Sequence, residues 1–133
     1  MPMINPDGVI MGNSRSNATG NDLNRVYPFA SKELYPEIFE FKNLIEKFNQ
    51  KKEIFLFYDF HGHSGRKNTF FFGPSYPINH PSYYKARMLP KIIESLDNSF
   101  RYHACSFTIS EKKKTTGRAC MFEQYNIPFT YTI

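Results

Sequence analysis

The sequence predicts an α/β fold, a mainly parallel mixed sheet sandwiched by helices. Three stretches carry that reading. The run Ile54-Phe-Leu-Phe-Tyr58 is dense in aromatic and apolar residues and ends in a polar cluster, the pattern of a buried strand delivering side chains to a site. Residues 36–50 place Ile38, Phe41, Ile45 and Phe48 at spacings of three, four and three, one apolar stripe of a helix. The final stretch, Phe129-Thr-Tyr-Thr-Ile133, alternates like a strand. Strands alternating with helices imply stacked layers.

A chain of 133 residues makes one domain at most. Its 41% hydrophobic content, with 14 Phe and 9 Tyr, is enough for a core and excludes disorder over the whole length. Seventeen Lys+Arg against 12 Asp+Glu give +5 at neutral pH, a balance that favours acidic partners without choosing one. The two cysteines, Cys105 and Cys120, make neither a disulfide framework nor a zinc knuckle, and are expected to be reduced. No secretory leader is seen and no apolar run approaches ~18 residues, so a cytoplasmic chain without a membrane partner is expected. Asn17-Ala-Thr19 fits a glycosylation sequon, which without a leader carries no weight.

Taken in order, Asn5-Pro-Asp-Gly8 predicts a turn and Val9-Ile-Met11 a short strand. A long polar loop follows, holding Arg15, Asp22, Asn24 and Arg25 in or beside it; loops of that length are commonly functional. Pro36 opens the first long helix, since proline is tolerated at the first helical position. The central strand is expected over residues 53–60, apolar on both faces as between two helical layers. Thr69-Phe-Phe-Phe-Gly73 predicts a second short strand, and Asn79-His-Pro-Ser82 the start of a helix to about Leu96, kinked or divided at Pro90. Cys105-Ser-Phe-Thr-Ile109 predicts a strand, Lys112, Lys113 and Lys114 a basic loop, and residues 117–125 a helix leading to the last strand.

The chemistry gathers in Asp59-Phe-His-Gly-His-Ser64. Imidazole is the commonest protein ligand for zinc, and alternate positions of an extended chain face one way, so His61 and His63 could both be ligands or could both be ordinary loop histidines. Asp59 is placed to orient an imidazole. Neither His80 nor His103 shows ligand spacing. Arg15, Asn24 and Arg25 suit planar recognition of a carboxylate or phosphate. No nucleic-acid motif is found, and most aromatics lie in apolar runs, so nucleic acid is not expected as a partner.

These blocks together resemble a known family. Pro2-Met3 before Asn5-Pro-Asp-Gly-Val9, then Gly12-Asn13-x-Arg15, Gly20-x-Asp-Leu-Asn-Arg25, Asp59-x-His-Gly-His-Ser64 and Phe71-x-Gly73 are similar to the cytosolic carboxypeptidases, a subfamily of the M14 zinc metallocarboxypeptidases. Weaker similarity continues through Thr116-Gly-Arg118 and Tyr131-Thr-Ile133. The resemblance implies a carboxypeptidase-like fold and Zn2+ as cofactor. It implies His61 as a zinc ligand, with His63 a neighbour rather than a ligand. Asn24 and Arg25 would grip the α-carboxylate of the substrate, and Arg15 would polarise the scissile carbonyl and stabilise the oxyanion. Partners implied are peptide or protein C-terminal tails, including glutamate-rich tails such as those of tubulin.

Three family features have no match: the His-x-x-Glu motif, the general-base glutamate, and the substrate-capping tyrosine sought in residues 110–114. Tyr27 stands where the subfamily usually has Trp. The expectation is therefore that residues 1–133 are a partial zinc carboxypeptidase catalytic domain, incomplete at both ends and inactive alone. The alternative is a non-catalytic carboxylate-binding module derived from that fold.

Overall fold

The computed structural model describes residues 3–133; Met1 and Pro2 lie outside the described residues, and with them the Pro2 end of the first matched block. Asn5-Pro-Asp-Gly8 opens a helix, α1 (Pro6–Ile10), so the turn and the strand expected at Val9-Ile-Met11 are corrected. The same chemistry explains both readings: Pro6 pre-sets helical φ, and Asn5 Oδ1 caps the helix by accepting from Gly8 N–H at 3.0 Å. Asn5 Nδ2 also donates to Ser16 O at 3.1 Å. That close approach requires glycine at position 8, where a Cβ would lie 2.5 Å from the Ser16 carbonyl oxygen.

The long polar loop is ordered by its own side chains. Asn17 is buried, and its Oδ1 accepts from Thr19 N–H, Thr19 Oγ1–H and Asn21 N–H at 3.2, 2.9 and 2.9 Å. An antiparallel bridge between Ser16 and Asp22 closes the loop.

Three helices and two strands follow. Helix α2 (Pro36–Asn49) buries Ile38, Phe41 and Ile45 as the stripe predicts, whereas Phe48 is 56% exposed. Strand β1 (Leu56–Asp59) is shorter than expected, and it is not buried on both sides: Phe55 and Phe60, at its two ends, are 65% and 78% exposed. Helix α3 (Ser82–Leu96) runs through Pro90 without dividing. Proline removes the N–H that would bond the carbonyl four residues earlier, at Ala86. The hydroxyl of buried Tyr131 donates to that carbonyl instead, at 2.7 Å. Helix α4 (Gly117–Glu123) is capped by Thr116, and strand β2 (Phe129–Thr132) completes the set.

Strands β1 and β2 pair in parallel, Leu56 opposite Phe129 and Asp59 opposite Thr132. The sheet extends beyond them by single bridges. Phe72 exchanges both backbone bonds with Thr132 in antiparallel sense at 2.9 Å each, and pairs in parallel with Ser106. The strands expected at residues 69–73 and 105–109 are thus extended segments joined by single bridges rather than full ladders. Lys112 and Lys113 lie in a 3-10 turn, Glu111–Lys113.

The layers are as predicted. On one face α2 and α4 bury Ile38, Phe41, Ile45, Cys120 and Met121 with Leu23, Tyr27 and Ile127. On the other, Phe71, Phe100 and Tyr131 pack with Leu89 and Ile93 of α3. Neighbouring β1 residues Phe57 and Tyr58 join opposite faces, as strand alternation demands. Among the described residues β1 has no strand on its outer edge, which explains its exposure.

Candidate active site

The site lies at the C-terminal end of β1. Beyond Asp59 the parallel ladder continues, with Ile133 N–H donating to Asp59 O at 3.0 Å and His61 N–H to Ile133 O at 2.9 Å. The backbone of His61 is therefore fixed by the end of the neighbouring strand. Asp59 and His61, two residues apart, share a side: Asp59 Oδ2 meets His61 Nε2 at 2.8 Å, the orienting contact expected of Asp59. His63 turns elsewhere and stacks on Phe70, with ring centroids 4.9 Å apart. Burial, then the charges of His61, Arg66 and Lys113, lower the His63 pKa and keep it neutral at pH 7.

Asp22 organises the opposite wall. Its Oδ1 accepts from Asn24 N–H at 2.9 Å and caps the 3-10 turn Leu23–Arg25, while its Oδ2 pairs with Arg15 Nε at 2.5 Å. Arg25 Nη1 lies 3.9 Å from the same carboxylate and donates to Asn24 O at 2.6 Å. Asn24 reaches across the chain: its Oδ1 accepts from Gly117 N–H, the first residue of α4, at 2.8 Å. With the oxygen so used, the amide NH2 is what Asn24 offers to a ligand.

A cleft of about 700 Å³ brings Arg15, Asn24 and His61 together with Asp22 and Asp59; Phe48, Leu44 and Phe60 give it an apolar wall. Arg25 is held behind Asn24 rather than lining that cleft. Several cations stand around the cleft, offset by Asp22 and Asp59 on its lining. Burial, then the charges of Arg25, Arg15 and Arg118, lower the Lys113 pKa, with Asp22 opposing. Buried Arg118 donates to the carbonyls of Gly73 and Thr108. Its burial depresses the guanidinium pKa to about 10, leaving it charged at neutral pH. Guanidinium and amide donors of this kind suit an anionic ligand.

The residues do not make a zinc centre by themselves. Among the described residues no group of three or more His, Cys, Asp or Glu side chains could hold a metal ion. A catalytic zinc takes three protein ligands, and His61 here meets only Asp59.

Over residues 1–133 the chain matches the Peptidase_M14 family, described as zinc carboxypeptidase. It belongs to that family. Its curated relatives include cytosolic carboxypeptidase 2 of Macaca fascicularis, 38% identical over 123 residues, a match covering 92% of this chain and 14% of the relative. Cytosolic carboxypeptidase 1 of Xenopus laevis is 33% identical over 148 residues, covering 100% and 12%. Among solved structures, a metallo-carboxypeptidase from Burkholderia cenocepacia superposes with a TM-score of 0.79 at 21% identity, covering 100% of this chain and 34% of the other. A metallo-carboxypeptidase from Pseudomonas aeruginosa, in complex with (2-guanidinoethylmercapto)succinic acid, gives 0.70 at 23% identity, covering 98% and 35%. These two likenesses show the fold.

Sequence reading missed the organising role of Asp22 and the bond from Asn24 to Gly117. The first had a signal, since an Asp two residues before an Asn is an Asx-type cap. The second spans 93 positions and had none.

Proposed function

We propose that this cleft binds the C-terminal carboxylate of a peptide, and that residues 1–133 are part of a metallocarboxypeptidase catalytic domain that releases C-terminal residues by hydrolysis. The observation that carries the reading is the state of Asn24. Its oxygen is occupied by Gly117 N–H, so its NH2 is left for a ligand in the cleft lined by Arg15 and His61, while Arg25 donates to the Asn24 carbonyl from outside that lining. Asn24 and Arg25 bind the carboxylate, and Arg15, once released from Asp22, stabilises the oxyanion. Family membership supports zinc as the cofactor, with His61 one ligand of a centre completed outside the described residues. The share of the solved chain that is matched, 34%, supports a larger catalytic domain. The relatives' name, cytosolic carboxypeptidase, supports a cytoplasmic setting. A net charge of +5 suits acidic tails, including glutamate-rich tails such as those of tubulin.

A second reading, a carboxylate-binding module without catalysis, draws on the same lack of a three-ligand cluster among the described residues. One experiment separates the two. The zinc-loaded full-length protein is incubated with peptides bearing a free C-terminus, with and without a chelator, and released amino acids are quantified. Chelator-sensitive release supports the enzyme. Saturable binding of the same peptides without release supports the module.

A further inference from the structure

A second basic concavity of about 490 Å³ lies between the loop that follows His63 and the segment around the 3-10 turn Tyr102–Ala104. Arg66, Lys67, Arg101 and His103 line it, with Asn68 and Ser106, and none of the lining residues is acidic. Three formal positive charges therefore converge there with histidine neutral. Among the described residues none of these cations has an ion-pair partner within 4.0 Å. Two carboxylates stand near the basin, and Asp97 feels the charge of Arg101 and Glu94 that of His103, but neither lines it and both are hydrogen-bonded elsewhere. Glu94 bonds Tyr102 N–H at 2.8 Å and pairs with Lys91 at 2.6 Å, and Asp97 accepts from both Ser99 N–H and Ser99 Oγ–H.

The two guanidiniums are held in place. Arg66 lies over the Phe70 ring, 5.1 Å from its centroid, and donates to Ala104 O at 3.2 Å, leaving most of its N–H donors unassigned. Arg101 donates to Asn98 O at 2.5 Å and Phe100 O at 3.1 Å. The walls are tied together by Arg101 N–H to Thr69 O at 2.8 Å and Ser106 N–H to Phe71 O at 2.9 Å. Preset guanidinium forks suit carboxylates, and little ordering is needed on binding. The lining carries no Phe, Tyr or Trp on which a nucleobase could stack, which argues against nucleic acid.

We propose that this basin is a second binding site, taking an acidic peptide segment whose glutamate or aspartate carboxylates pair with Arg66, Lys67 and Arg101. It is separate from the cleft that holds Arg15, Asn24 and His61, with which it shares no lining residue.

The test uses the full-length protein and an N-acetylated, C-terminally amidated hexaglutamate peptide. This probe lacks the α-carboxylate proposed for the cleft, but its side-chain carboxylates can still reach Arg15, so the basin variants below decide which site binds it. Calorimetry is expected to show saturable, salt-sensitive binding of hexaglutamate and none of the hexaglutamine counterpart. Arg66→Gln with Lys67→Gln should weaken it about tenfold. Lys67→Glu alone, at a side chain without an assigned contact, should weaken it comparably while leaving the melting temperature unchanged. Hydrolysis of a short neutral peptide should be unaffected by either variant. No hexaglutamate binding, binding indifferent to both variants, or tighter binding of a single-stranded oligonucleotide than of hexaglutamate would overturn the proposal.

Discussion

Asp22 meets three groups at once: the Asn24 amide, the Arg15 guanidinium and, more distantly, Arg25. Arg15 is 60% exposed, so the ion pair alone is worth about 0–1 kcal/mol; the cap at Asn24 N–H adds about 1 kcal/mol. Asp22→Ala should therefore lower urea-unfolding stability by about 1–2 kcal/mol. The same change should raise KM for peptides more than it lowers kcat, because it loosens the turn presenting Asn24 and Arg25. An unchanged KM would show that Asp22 has no part in the proposed substrate grip. Tyr131 and Pro90 give a second residue-scale test. Tyr131→Phe leaves the Ala86 carbonyl buried without its donor and should cost about 1–3 kcal/mol. In a Pro90→Ala background the restored N–H can serve that carbonyl, so the penalty for Tyr131→Phe should shrink. Simple additivity of the two changes would contradict the account.

At the scale of elements, the start of α4 connects core to site. Thr116 Oγ1 accepts from Ala119 N–H, Gly117 N–H donates to Asn24, and a Cβ on Gly117 would lie 2.7 Å from Tyr27 Cζ. Gly117→Ala should displace α4 from Tyr27, cost about 1–3 kcal/mol in thermal or urea unfolding, and weaken peptide binding through Asn24. Retained stability with normal affinity would show that the approach is not required. Helices α2, α3 and α4 and strand β2 were legible because apolar spacing, proline position and alternation are local signals. Helix α1 was not, because Asn-Pro-Asp-Gly serves a turn and a helix start equally well, and the Asn5 cap decides between them. The segment at Thr69-Phe-Phe-Phe-Gly73 looked like a full strand by composition; its neighbours supply only single bridges.

For the whole molecule, two layers of core flank a mixed sheet whose β1 edge is open among the described residues. Cys120 reports on the integrity of the α2–α4 layer. It is buried, and burial pushes its thiol up to about 11, with Glu123 adding and Lys42 opposing. A raised thiol pKa means little thiolate at pH 8, so iodoacetamide labelling of Cys120 should track global unfolding across a urea titration. Fast labelling in native buffer would show that this layer opens locally. The motif blocks were legible in the sequence: Arg15, Asn24 and His61 line one cleft, and Arg25, which donates to Asn24 O, lies outside that lining. What could not be read was how they are held, since the Asp22 hub and the Gly117 tether depend on tertiary contact. The most direct measurement compares two peptides of one sequence, one with a free C-terminus and one amidated, as substrates of the zinc-loaded full-length protein and its Arg25→Gln variant. Cleavage of the free peptide only is expected, with KM raised at least about tenfold by Arg25→Gln. Equal cleavage of both peptides, or an Arg25→Gln variant indistinguishable from the parent, would contradict that expectation.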